Sequence, residues 1–204
     1  MRTAASIALV CCALTSAAQT LDRIAVSVDK QVITESTLVL DRRVTAFLDG
    51  VPVDLSGPAK RMSAERLIDQ LLILREAKDS HLPLPTEKNA AVLLSQVKAQ
   101  EGSDATYQAD LKRYEITEAD LSEHLLAGLV ALTFSDLRFR PSVQISDDDV
   151  RAFYSTVQDG QVIEAPRSDI EEILIRQRTS DALDAWLKSA RMAAHIQYRE
   201  NVFR

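Results

Sequence analysis

Cysteine is nearly missing: the 204 residues hold two, Cys11 and Cys12, side by side near the N-terminus. Downstream of them the chain has no thiol, so it forms no disulfide and offers no cysteine nucleophile there. Glycine (5) and proline (6) are scarce as well, too few for a sandwich or barrel that needs a turn every ~8–12 residues. Long helices are favoured instead. Basic residues are outnumbered, 24 Lys+Arg against 30 Asp+Glu for a net charge of −6. No clustered basic stripe is present to release counterions from phosphates, which argues against a nucleic-acid partner. What is there, 46% apolar and 26% charged residues, is ordinary for a soluble globular chain. Disorder, collagen and a multi-spanning membrane protein are excluded on that ground.

The first segment reads as an address. Met1 and Arg2 supply a positive charge, Ala4 to Leu14 is a largely apolar run, and Ser16, Ala17 and Ala18 place small residues before Gln19. This three-part pattern is that of a secretory signal peptide. The run is short of the ~20 apolar residues that a spanning helix needs. Residues 1–18 are therefore expected to be cleaved, residues 19–204 to form a single domain, and no stable membrane insertion to remain. Both cysteines leave with the signal, and loss of Arg2 moves the charge from −6 to −7.

Downstream, the pattern predicts a mainly α fold: a helical bundle closed by a small β element. Ile24 to Val28 alternates with period two, Asp29 and Lys30 interrupt, and Val32-Ile33 resumes, which predicts a tight hairpin. Thr34 then caps a helix running to about Leu48. Ser63 is expected to cap a second helix, whose Leu67, Ile68, Leu71, Leu72, Leu74 and Ala77 cover a face wide enough for more than one neighbour. Thr86-Glu87 starts a third helix, Ser103 caps a short fourth, and Thr117 with Asp120 opens a long fifth carrying Leu121, Leu125, Leu126, Leu129, Val130, Leu132 and Leu137. Ser146 caps a sixth. Pro166 precedes a last long helix with Ile170, Ile173, Leu183, Trp186 and Ala190. His195 to Arg199 alternates again, and its expected partner is the strand near Val26, because a lone edge strand leaves backbone groups unpaired.

The motifs of bond chemistry are sparse. His81, His124 and His195 stand far apart, outside any HExxH pattern, and read as surface or cap residues. Asp147, Asp148 and Asp149 lack the alternating ligands, glycine and distal glutamate of an EF-hand, and they complement a positive helix end instead. Pairs such as Glu171-Glu172 fall on solvent-facing helix positions. There is no GxSxG elbow, Walker loop or GxGxxG turn. No cofactor and no metal site are expected. Apolar surface in excess of a core's needs would serve as a groove for extended or unfolded peptide.

Three patches carry a resemblance. Asp22 to Leu38 resembles the opening of SurA-type periplasmic chaperones, where a strand, a tight turn, "VIT" and an acidic helix start follow the signal peptide. Val143 to Tyr154 resembles the family's "V-x-I-(S/T)-(D/E)-x-(D/E)-V-x-x-(Y/F)-Y" element. Leu183 to Arg191, continuing through Ile196-Gln197-Tyr198, is similar to the C-terminal helix that packs back onto the N-terminal module. The resemblance implies the SurA N-terminal or trigger-factor-C-like chaperone module. It departs from the family in one respect. SurA-like and PpiC-type proteins insert parvulin prolyl-isomerase domains after the Phe-Tyr helix, whereas here Pro166 follows Tyr154 by 12 positions. A domain of about a hundred residues does not fit between about 155 and 166.

The function expected from export, patterning and resemblance is a periplasmic, ATP-independent holdase for unfolded clients, outer-membrane proteins in particular, and not an enzyme. The alternatives are a degenerate peptidyl-prolyl isomerase, or a periplasmic assembly or scaffold subunit whose apolar faces are buried in a partner or a homodimer. Leu125, Leu129, Phe134, Phe139 and Phe153 are the residues expected to meet clients. Trp186 is expected to be core.

Overall fold

The computed structural model describes residues 22–157 and 166–204. The signal-peptide reading of residues 1–18, with Cys11 and Cys12, lies outside them, as does most of the link between Tyr154 and Pro166. Among the described residues no helix is long and apolar enough to cross a membrane.

Local chemistry sets the ends of the elements. Asp29 takes a left-handed φ of 53° and turns β1 (Ile24–Val28) back onto β2 (Gln31–Thr34) as an antiparallel hairpin. Thr34 ends that strand and caps α1 (Glu35–Asp49), its hydroxyl accepting from the Thr37 amide at 3.4 Å. Gly50, at φ 65°, closes α1 in the left-handed conformation that glycine adopts without a Cβ penalty.

The second helix, α2, runs over Gly57–Asp79, seven residues earlier than a cap at Ser63 suggested. Ser56 is the cap, and Pro58 in the first turn is pre-set for helical φ, so the start signals upstream prevail. Ser63 sits inside the helix, buried, with no partner for its hydroxyl among the described residues.

The later helices are α3 (Glu87–Gln100), α4 (Asp104–Tyr114), α5 (Glu118–Arg138), α6 (Asp147–Val157) and α7 (Arg167–Ala193). Reciprocal caps open α5 and α6. Thr117 and Asp120 exchange hydrogen bonds at 3.2 and 2.7 Å at the start of α5. Ser146 and Asp149 do the same at 3.2 and 2.8 Å at the start of α6, each pair satisfying two orphan amides.

Beyond α7, β3 (Ile196–Tyr198) returns to β1, pairing Tyr198 with Val26 and giving a three-stranded antiparallel sheet in the order β2-β1-β3. The first and last β-segments are thus joined, as the alternation at both ends predicted. Charged groups tie α7 and β3 to α2. Arg191 donates to Asp69 at 2.6 Å and to Glu65 at 2.5 Å, and the Tyr198 hydroxyl donates to Glu65 at 2.9 Å. Arg61 lies 3.6 Å over the Tyr198 ring.

Apolar burial falls into three clusters. The sheet packs on Leu38, Ile68, Leu72 and Val202. The second half of α1 packs with α4 and the start of α5 around Phe47, Tyr107 and Tyr114. The end of α2 packs with the end of α5 around Ile73, Ala77 and Phe134, with Trp186 of α7 against them. Trp186 is half-buried and touches both the first and third clusters, which makes it the joint between α7 and the rest. The long apolar face expected of α5 is only partly used: Leu132 is 61% exposed and Leu137 43%.

Candidate functional site

The three clusters diverge around a space that none of them fills. On α2, Ile68, Leu72, Ile73 and Ala77 are buried, while the neighbouring stripe Leu67, Leu71 and Leu74, spaced i, i+4, i+7, is only half-covered. Leu126, Ala127 and Val130 of α5 face this stripe, and Val32 and Ile33 of β2 stand beside it. Together they enclose an apolar trough of about 340 Å³.

Two further hollows extend it. One of about 260 Å³ shares Leu67, Gln70, Glu123 and Ala127 with the trough and ends at Asp41, Asp120 and His124. The other, about 370 Å³, shares Leu71 and Leu74 and ends at Lys30, Arg75 and Lys78. The result is one channel along the exposed side of α2, apolar in its middle and charged at both ends.

The position of β2 gives the channel a second kind of wall. β2 is the edge of the sheet. Consecutive strand residues point to opposite faces, and here Ile33 is buried while Val32 is 54% exposed. Both nevertheless line the trough, so the trough runs along the strand's edge, where backbone donors and acceptors are unpaired.

At one end of the channel sits a compact polar group. Asp41 is buried and ion-paired to Arg66, and His124 Nδ1 lies 3.7 Å from Asp41. The Thr45 hydroxyl donates to the Asp41 carbonyl and accepts from Arg66, both at 2.8 Å. Burial, then the charge of Arg66, holds the His124 imidazole below its ordinary pKa, against the opposing pull of Asp41. Thr45 is committed as both donor and acceptor, so the group braces α1, α2 and α5 together. His124, expected on the surface or at a cap, is part of this brace; helix α5 turns it inward beside an aspartate on α1.

The expected client residues do not gather at the channel. Phe134 is fully buried, edge-on to Phe139 at 5.7 Å and against Trp186 at 5.0 Å. It offers no surface in this conformation and is corrected to core. Phe139 is half-buried in the same cluster, Leu125 packs with the Phe47 cluster, and Leu129 and Phe153 are half-buried away from the trough walls. The α5 residues that do line the trough include Leu126 and Val130, each one position on from Leu125 and Leu129. One position is a rotation of about 100° around a helix. The usable signal was on α2, whose apolar face is wider than one neighbour covers.

The acidic triplet at the start of α6 is engaged: Asp147 with Arg167, Asp148 with Arg151, and Asp149 with Arg178. Ser146 and then Arg178 hold the Asp149 carboxyl down at about 2. Among the described residues no group of three His, Cys, Asp or Glu is placed to hold a metal ion.

No protein-family model matches this chain, and no curated protein matches it.

Proposed function

We propose that this chain is an extracytoplasmic, ATP-independent holdase that shields apolar stretches of unfolded proteins, β-barrel outer-membrane proteins among them. The observation that carries the reading is the apolar trough between α2 and α5, open to solvent and bordered by an unpaired strand edge. Such a site suits a chain that is extended and still has both its side chains and its backbone unsatisfied. Shallow apolar contact gives little sequence discrimination, which a chaperone of many clients requires. A net charge of −6 keeps the protein itself soluble while it carries apolar surface.

The signal-like N-terminus supports export, and the resemblance of Asp22–Leu38 and Val143–Tyr154 to SurA-type chaperones supports the same class of client. The test is aggregation of a urea-unfolded β-barrel protein on dilution, followed by light scattering. Stoichiometric amounts of the chain should slow it without nucleotide, and Leu74→Glu should remove most of the effect. Unchanged aggregation with the wild-type protein would rule the reading out.

A further inference from the structure

We infer that a client segment binds in the channel as a fourth strand, antiparallel to β2, with its N-terminal side toward Glu123 and an acidic residue at its C-terminal side between Lys30 and Lys78. This deepens the holdase reading and rests on it.

The length is set by α2. From Leu67 to Lys78 the helix rises roughly 16 Å at 1.5 Å per residue, which matches about five residues of extended chain. β2 runs along the same channel in a fixed sense: Gln31 lies at the lysine end, Val32 and Ile33 at the trough, and Thr37, just into α1, at the Glu123 end. The sheet is antiparallel throughout, and antiparallel addition is the commoner and slightly more stable pairing. An added strand therefore runs from the Glu123 end toward the lysines.

Charge then fixes what its ends carry. Glu123, Lys30 and Lys78 line the channel and make no ion pair among the described residues. Arg75, by contrast, is neutralised by Asp29 at 2.5 Å. Asp79 shares the lysine end, leaving that end net positive; at the other end Arg66 neutralises Asp41, and Asp120 and Glu123 leave it negative. The complementary occupant is an extended apolar segment with a basic side chain first and an acidic one last.

The experiment uses two synthetic peptides of one composition, blocked at both termini. Each has alternating apolar residues; one begins with lysine and ends with glutamate, and the other has these two exchanged. Binding to the purified chain is read by fluorescence anisotropy. The lysine-first peptide should bind about threefold or more tightly than its isomer at low salt, the difference shrinking as salt screens it. The variant Lys30→Glu with Lys78→Glu should reverse the order.

N-methylation of alternate peptide amides should weaken binding about tenfold in one frame and hardly at all in the other, since only every second amide faces β2. Val32→Lys, at an exposed position, should weaken both peptides with no change in thermal midpoint. Equal binding of the two peptides, or indifference to both methylation frames, overturns the strand-addition proposal. If client aggregation is still suppressed in that case, the holdase reading survives without it; if the wild-type chain binds neither peptide and suppresses nothing, both fall.

Discussion

A β-carbon built on Gly57 would lie 1.9 Å from the carbonyl oxygen of Phe203. The first turn of α2 and the C-terminal segment therefore meet backbone to backbone, and only glycine permits it. Val202, buried beside the sheet, and the amine of Lys60, which reaches the Val202 carbonyl at 3.4 Å, complete the contact.

Gly57→Ala has nowhere to put its methyl except by displacing main chain. It should destabilise the protein by about 1–3 kcal/mol, as overpacking does. Faster hydrogen exchange should appear at the amides of Val202 and Phe203. Gly128→Ala is the control: it lies inside α5 with open space around it, and it should stabilise by roughly 0.5–1 kcal/mol. Urea melts of the two variants check both signs.

Phe134→Ala separates core from site. A fully buried ring packed on Phe139 and Trp186 should cost about 3–5 kcal/mol on truncation. Leu74→Ser, at the half-covered trough, should cost less, yet it should reduce client protection more at temperatures where both variants stay folded. Chemical denaturation paired with the light-scattering assay reads the two effects.

Arg191 is the centre of the closure between α7 and α2. Arg191→Ala should destabilise by on the order of 1–2 kcal/mol, the partial exposure of the network moderating the loss. Burial works against ionisation of Glu65, but Arg191, Tyr198 and Arg61 together bring its carboxyl below the ordinary glutamate value. That stabilisation is present above the unfolded pKa and fades as pH falls through the lower folded one. The wild type should therefore lose more stability than Arg191→Ala on acidification below about pH 4.5, as followed by urea midpoints.

His124 acts at higher pH and with the same sign. Its folded pKa lies below the unfolded value of about 6.5, so from that pH downward the unfolded chain takes up a proton that the folded one does not. Stability should decline as pH drops from about 7 toward the folded pKa and level off beneath it. His124→Gln should flatten this part of the profile while leaving the carboxylate-driven loss at lower pH.

Local structure was legible in the chain wherever one short-range signal dominated. The hairpin at Asp29, the caps at Thr34, Ser103, Thr117 and Ser146, and the pairing of the first and last alternating segments all follow from neighbouring residues or from the need to satisfy backbone groups. Ser63 misled because two competent caps lay close together, and the choice fell to Ser56, where Gly57 could receive the C-terminal segment. His124 misled because its partner, Asp41, is on another helix.

The amino-acid pattern by itself determined that this protein is mainly helical, where most helices begin, and that α2 carries more apolar surface than one contact needs. It also determined the charge inventory. Only the tertiary structure decided which leucines remain uncovered, that Phe134 turns inward while Leu126 and Val130 face the trough, and that the free edge of β2 runs beside them. The reason is geometric: neighbouring positions on a helix differ by about 100°, so one residue of offset separates core from site, and that offset is set by the helices that pack against it.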